Sequence, residues 1–333
     1  MTDVIKLAHG GGGILMQELI KREIIPTLGA AGSSELADSA RIDLPGTSLA
    51  FTTDSFVVWP LTFPGGDIGR LAICGTINDL AARGAKPLAL SLSLIIEEGL
   101  PLDTLRKILT SAAQAANQAR VQIVTGDTKV VEKGSANALF INTCGVGLMQ
   151  KDLDFTFERI EVGDAVLING PIGDHGIAVM SVREGISFTS SVKSDVAPLA
   201  EMVERVINGC GAAVKCMKDP TRGGLAANIN EMAQKVGFVL DQQALPVRPE
   251  VEGACDLLGL DPLTVANEGK MIFVVAQDAA AQALEILQDH PLGAGAAIIG
   301  SADDKKGLVR MKTTIGGERI VDTPYGQELP RIC

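Results

Sequence analysis

The sequence predicts two domains that each mix helices and strands, α/β or α+β, over residues 1–155 and 156–322, with a tail over 323–333. Three observations lead there. A chain of 333 residues is about two domains long, and each half is large enough to bury its own core. Strand-like and helix-like segments alternate in both halves. A polar stretch at 150–163 separates them.

Residues 48–53 read as a strand ending at Asp54. Over 66–83, Ile68, Leu71, Ile73, Ile77 and Leu80 recur near the helical period, and Gly84 closes the helix. An apolar strand at 87–96 follows, then an alanine-rich helix at 101–119 entered through Pro101, and a short buried strand at 121–125. Another strand-like stretch covers 135–148. The second half opens with a strand at 165–169, the loop Gly170-Pro171-Ile172-Gly173-Asp174-His175-Gly176 and a helix. A longer helix spans 196–208, and Pro220-Thr221-Arg222-Gly223-Gly224 leads into another at 225–236. A strand at 270–276, a helix at 279–288 and a hairpin-like region at 308–321 complete the domain. The tail holds Pro324, Gly326 and Pro330 with little periodicity, and is expected to be mobile.

Composition excludes several functions. Apolar residues make up 46% and mean hydropathy is +0.25, yet no run approaches the ~18 apolar residues of a spanning helix. Met1-Thr2-Asp3-Val4 lacks the basic-then-apolar order of a signal peptide, so a soluble cytoplasmic protein is expected. A net charge of −11 with 3% aromatics offers neither a basic stripe nor stacking platforms for nucleic acid. Cysteines stand at 74, 144, 210, 216, 255 and 333 without zinc or disulfide spacing, and His9, His175 and His290 are far apart. The first five cysteines read as small buried hydrophobes.

The candidate chemistry lies in a few segments. His9-Gly10-Gly11-Gly12-Gly13 precedes a helix-like stretch and offers converging N–H groups to an anion; a flexible linker is the alternative. It is not a Walker loop. Asp54, Asp79 and Asp127 each stand beside small residues, and carboxylates near strand ends suit Mg²⁺ completed by a phosphate. Taken singly, each is more often only a cap or Asx-turn, so the argument rests on the set. Lys129 adds a point charge for the phosphates. Asp219-Pro220-Thr221-Arg222-Gly223-Gly224 offers amides and a guanidinium at a helix entrance, or simply a structural proline. Asn267-Glu268-Gly269-Lys270 reads locally as a solvent-facing turn. Cys333 stands at the end of a tail expected to be exposed, where a thiol is a liability unless used, and prenylation would need three residues after it.

Together these segments resemble the HypE family, the carbamoyl dehydratases of nickel–iron hydrogenase maturation. The resemblance runs through residues 9–13, Asp38-Ser39-Ala40, 52–58, 63–69, 75–81, 126–131, 219–224, 267–270 and the Pro330-Arg331-Ile332-Cys333 ending. The body motifs are shared more loosely with aminoimidazole ribonucleotide and selenophosphate synthetases; the ending is specific to HypE. An all-glycine loop after His9, where a serine is common, is a mild departure. The resemblance implies a two-domain ATP-binding synthetase-like fold, with an N-terminal α/β domain forming the homodimer core and a C-terminal α+β domain, and ATP with Mg²⁺ in the cleft between them. It implies that a carbamoyltransferase, HypF, places a carboxamide on Cys333, that this chain dehydrates it to thiocyanate, and that the cyano group passes to HypC–HypD. It assigns Asp54, Asp79 and Asp127 to metal, Lys129 to phosphate and Glu268 to proton removal. His9, Gly11, Gly12, Asp38, Asn78, Thr128 and Arg222 go to the nucleotide. Selenophosphate synthetase would need a reactive cysteine near the glycine loop, whereas the first here is Cys74. An aminoimidazole ribonucleotide synthetase, or a non-catalytic carrier with a vestigial site, are the other readings.

Overall fold

A computed structural model describes residues 4–28, 37–185, 192–326 and 331–333. The glycine run ends at α1 (Ile14–Leu19), which continues through a π-helical turn at Ile20–Ile24 into α2 (Ile25–Leu28). β1 (Ala40–Leu44) and β2 (Thr47–Phe56) form a hairpin, and β3 (Thr62–Phe63) pairs with β4 (Gly66–Asp67). The Asp67 carboxylate then caps α3 (Ile68–Ala82), accepting from the N–H groups of Gly69 and Arg70 at 2.8 and 2.9 Å. β5 (Ala85–Glu97), α4 (Leu102–Gln118), β6 (Gln122–Val131) and β7 (Leu139–Met149) complete a sheet of order β1-β2-β7-β5-β6. Only β5 and β6 pair in parallel, as the α4 crossover between them requires. Helix α3 is buried on almost every side because it lies between this sheet and the second half of the chain.

The second half runs β8 (Ala165–Ile168), α5 (Asp174–Arg183), α6 (Ala200–Cys210), β9 (Val214–Lys218), α7 (Gly224–Met232), β10 (Gly237–Asp241) and α8 (Pro249–Leu258). It ends with β11 (Ile272–Val275), α9 (Ala280–Gln288), β12 (Ala297–Asp303), β13 (Val309–Lys312) and β14 (Glu318–Ile320). Its sheet has the order β14-β13-β10-β12-β8-β11-β9. β8 and β11 are apolar at every position because both of their faces are covered. The mixed helix-and-sheet fold expected from the sequence is the one observed.

Two expectations change. The sequence suggests a short buried strand at 121–125, but β6 extends to Val131, lies at the sheet edge and is exposed along nearly its whole length. Its apolar residues have only one neighbouring strand to cover them. The tail also does not hang free at its end. Ile332 is only 2% exposed and packs in the same core cluster as Ile177, Val179 and Val196. Residues 327–330 of the tail lie outside the described residues.

Candidate active site

The site forms where β2, α3 and the segment after β9 meet. Gly75 lets α3 lie close on β2: a Cβ there would come within 3.0 Å of the Phe56 ring and 3.7 Å of Asp54 Oδ2. That approach brings Asp79 of α3 beside Asp54 of β2, and the Thr52 hydroxyl donates to Asp79 Oδ2 at 2.7 Å. Asp219 joins them from the end of β9. Burial pushes Asp79 well above the usual carboxylate range, and the charges of Asp219, Asp54 and Asp38 push it further. Burial likewise raises Asp219, reinforced by Asp38 and Asp54. Asp54 is raised less, because Arg222 opposes the burial effect. Asp38 is ion-paired with buried Lys218, which also reaches Glu231 at 3.3 Å. Burial opposes the Lys218 charge, but these carboxylates outweigh it and hold the ammonium firmly protonated.

Glu268 is 3% exposed, so the turn expected at the surface is instead a buried strap. Four polar contacts hold it. Its N–H donates to Asp195 Oδ1 at 3.1 Å, and Asp195 pairs with Lys270 at 3.0 Å. Asn267 donates from its side chain to the Pro220 carbonyl at 2.9 Å and accepts from Gly173 N–H at 2.8 Å. Gly269 has no room for a Cβ, which would collide with the Asp195 carbonyl. The polar Asn-Glu-Gly-Lys string looks solvated only because Asp195, its counter-charge, is remote in sequence. Burial, with the charges of Asp219, Asp54 and Asp195, raises the Glu268 carboxyl well above its ordinary range. Its Oε1 has no hydrogen-bond partner among the described residues. A carboxyl raised in this way holds a proton more readily than a free one, as a group that takes up and returns protons in a cleft must.

The last described residues dock against this cleft. Cys333 O accepts from Val57 N–H at 3.1 Å, and Arg331 O from Trp59 N–H at 3.2 Å. The Cys333 thiol is pushed up by burial and by the carboxylates of Glu268, Asp54 and Asp219, while Arg222 opposes them. The same cysteine is the leading influence on Arg222, so sulfur, guanidinium and Glu268 share one electrostatic neighbourhood.

The other residues marked in the sequence are placed as follows. Gly12 adopts φ +77°, and a Cβ there would lie 2.7 Å from the Arg222 carbonyl; Arg222 Nη1 donates to Gly10 O at 3.2 Å. The loop is therefore a packed partner of the Arg222 turn, with Gly11 and Gly12 buried beside it. His9 is buried, its Nδ1 accepting from Lys6 N–H at 3.0 Å. Asn78, expected at the nucleotide, instead has its whole amide engaged. It donates to the carbonyls of Ala197 and Glu268 at 3.1 and 3.3 Å and accepts from Leu199 N–H at 2.8 Å. It holds the two halves together.

Asp127 and Lys129 do not join Asp54 and Asp79 within one chain. Register pairs Asp127 with Ser93, Ser93 with Asn142 and Asn142 with Ser55, so Asp127 shares the face of Ser55, opposite to Asp54. Asp127 and Lys129 are exposed and ion-paired with each other. Thr128 points to the other face of the same exposed strand. Among the described residues no three carboxylate, cysteine or histidine groups could hold a metal by themselves. Asp54, Asp79 and Asp219 nonetheless fit Mg²⁺: they are hard oxygen donors whose crowded charge a cation would offset, and Mg²⁺ takes its remaining ligands from water and phosphate.

Sequence reading passed over several residues that shape the site. Asp219 stood in a segment valued for its amides and guanidinium. Lys218, Asp195, Lys270, Ser194 and His175 had no visible partner, since each partner is distant along the chain. Only the charge of buried-looking neighbours such as Met217-Lys218-Asp219 hinted at an internal pair.

Comparison with known proteins places this geometry. The N-terminal domain of AIR synthase related proteins matches residues 36–149, and their C-terminal domain matches 161–312. Carbamoyl dehydratase HypE of Bradyrhizobium diazoefficiens is 49% identical over 332 residues, covering 99% of this chain and 96% of that protein. A crystal structure of a HypE–HypF complex superposes with a TM-score of 0.88 at 47% identity, covering 92% of this chain and 99% of that one. HypE crystallised in complex with ATP gives 0.84 at 42% identity, covering 99% and 100%. Among the described residues no helix is long and apolar enough to cross a membrane. The chain belongs to the HypE family of carbamoyl dehydratases, within the AIR synthase related proteins.

Proposed function

We propose that this chain dehydrates a carboxamide carried on the Cys333 sulfur to a thiocyanate, consuming ATP, and so supplies the cyano ligand of nickel–iron hydrogenase. The observation that carries the reading is the docking of Cys333 beside Glu268 and Arg222 at the edge of the carboxylate cleft. The atoms balance as S–C(=O)NH₂ plus ATP giving S–C≡N, ADP, phosphate and one proton. ATP supplies the γ-phosphoryl group that turns the amide oxygen, a poor leaving group, into phosphate. Asp54 and Asp79, with Asp219, would hold Mg²⁺, which would supply the charge that offsets the phosphates. Glu268 takes a proton from the amide nitrogen as the C–O bond breaks. Arg222 faces the oxygen on which negative charge grows. The docked Ile332 closes the cleft against water, which limits idle ATP hydrolysis.

A homodimer fits the first sheet. Its outer face, by register, carries Ile42, Phe51 and Leu148, all exposed, and a second copy would cover them. Asp127 and Lys129 lie on that face, so their route to a phosphate is from a second copy of the chain. HypF as the donor of the carboxamide, HypC–HypD as the acceptor of the cyano group, and a cytoplasmic setting belong to the same reading.

The test is mass spectrometry of the chain carbamoylated at Cys333 and then given Mg²⁺ and ATP. The Cys333 peptide is expected to lose one water as one phosphate is released. Absence of that loss overturns the reading. Cys333→Ala is expected to remain unmodified while still binding ATP; a carbamoylated Cys333→Ala chain would reassign the carrier.

A further inference from the structure

The described end of the tail is read through its backbone. Arg331 O accepts from Trp59 N–H and from Arg183 Nη2 at 2.6 Å, and Cys333 O accepts from Val57 N–H. Between them, Ile332 O faces a histidine at 2.8 Å, His175 Nε2. His175 is 0% exposed, with its ring edge-on to Phe63 at 5.3 Å between centroids. None of the chemistry above uses it.

Its protonation follows from its neighbours. Ser194 Oγ accepts from Val196 N–H at 3.1 Å, which turns the hydroxyl proton toward His175 Nδ1, 2.8 Å away. Nδ1 is therefore the acceptor, and Nε2 carries the proton offered to Ile332 O. Burial favours this neutral form, against the opposing charge of Asp195.

Both supports of the ring also hold Glu268. Ser194 precedes Asp195, whose carboxylate accepts the Glu268 N–H. In the first turn of α5, Gly176 N–H donates to Ala266 O at 3.1 Å, and just before it Gly173 N–H donates to Asn267 Oδ1 at 2.8 Å. One frame thus fixes the carbonyl preceding Cys333 and the carboxyl that faces the cleft.

We infer that His175, oriented by Ser194, is a positioning residue that reads the Ile332 carbonyl and sets the register of the Cys333-borne carboxamide against Glu268. A slip of one residue would move the sulfur by about 3.3 Å and turn Ile332 out of the core. The inference rests on the proposed dehydration and adds what aligns the tethered substrate for it.

The full chain carrying His175→Leu, His175→Gln or Ser194→Ala tests this, each loaded with a carboxamide on Cys333. His175→Leu removes the N–H donor and is expected to slow dehydration on the order of 10²-fold, with ATP affinity unchanged. His175→Gln restores a donor and is expected to recover most of the rate. Ser194→Ala, which leaves the core packing in place, is expected to fall between them and carries the test if His175→Leu does not fold. Dehydration at the wild-type rate in His175→Leu or Ser194→Ala overturns the assignment, as does a His175→Gln chain no faster than His175→Leu. Alkylation of Cys333, located by peptide mapping, reads the same clamp without catalysis. It is expected to be faster in His175→Leu than in wild type or His175→Gln, and equal rates overturn the inference. If the wild-type carbamoylated chain does not dehydrate, the proposed function fails, while the alkylation series still decides the role of His175.

Discussion

Asp79 and Asp127 both lie in the first half of the chain beside small residues, and both look like candidates for the same cation. The fold gives them opposite surroundings. Asp79 sits on α3 among Asp54, Asp219 and Asp38, where burial and like charge raise its carboxyl well above the ordinary range. Asp127 sits on the outer face of an edge strand, 61% exposed, where the Lys129 hydrogen bond and the Thr128 backbone N–H lower it. A carboxylate that is costly to ionise has affinity in reserve for a cation; one already paired with an ammonium in water has little. Location relative to the sheet, more than residue type or local sequence, separates a cleft ligand from a surface pair.

The largest expected effect comes from the buried side of this comparison. Glu268→Gln keeps the shape and the strap contacts but removes the proton acceptor. It should slow loss of water from the carboxamide by roughly 10²–10⁴-fold with ATP binding retained, measured by single-turnover mass spectrometry. Unchanged dehydration would remove Glu268 from the role. The wild-type rate should rise with pH as Glu268 deprotonates, with a midpoint above the ordinary carboxylate range.

A smaller effect is expected on stability. A carboxyl raised in the folded state stabilises the fold below its unfolded value and loses that contribution as pH climbs through the raised one. In the nucleotide-free chain the Asp79 contribution should therefore be lost progressively from about pH 4 upward. Asp79→Asn should flatten the loss and raise the melting temperature at pH 8 by a few degrees, while weakening Mg²⁺-dependent ATP binding. A parallel pH dependence in wild type and variant would contradict the crowding described for the cleft.

The smallest effect on stability belongs to the exposed pair. Lys129→Ala should leave the melting temperature of the chain unchanged. If Lys129 serves the cleft of a second copy, mixing Lys129→Ala with Cys333→Ala chains should restore dehydration that neither supports alone. Full activity in Lys129→Ala by itself would leave the pair with no catalytic part.

Much of the frame was legible because it depends on local pattern. The apolar spacing of Ile68, Leu71, Ile73, Ile77 and Leu80 gives α3, and the unbroken apolar runs give β8 and β11. The strands β1, β9, β10 and β12 and the helix α8 were not foreseen. β1 alternates charge with apolar residues and is exposed throughout, and β9, Val-Lys-Cys-Met-Lys, hides a buried lysine that only Asp38 and Glu231 make tolerable. Asp54, Asp79, Glu268, Arg222 and Cys333 were marked from the sequence, and the structure brings them together. Asp127 and Lys129 were grouped with them because sequence spacing carries no information on which face of a sheet a distant strand presents. The resemblance points Asn78 to the nucleotide, yet its amide is taken up by Ala197, Leu199 and Glu268, partners too distant along the chain to be read from local sequence.

The glycine loop has one more consequence. Ile14 N–H donates to Pro324 O at 3.0 Å and Leu15 N–H to Tyr325 O at 3.3 Å, so the start of α1 pins the chain just before the tail. From Tyr325 to Cys333 is eight residues, which fully extended span roughly 26–29 Å. Once the Val57, Trp59 and His175 contacts let go, the sulfur works on a leash of that length, anchored at the N-terminal loop. Any enzyme that loads or unloads Cys333 must present its own reactive centre inside that radius, so the length of the leash limits how a partner can dock.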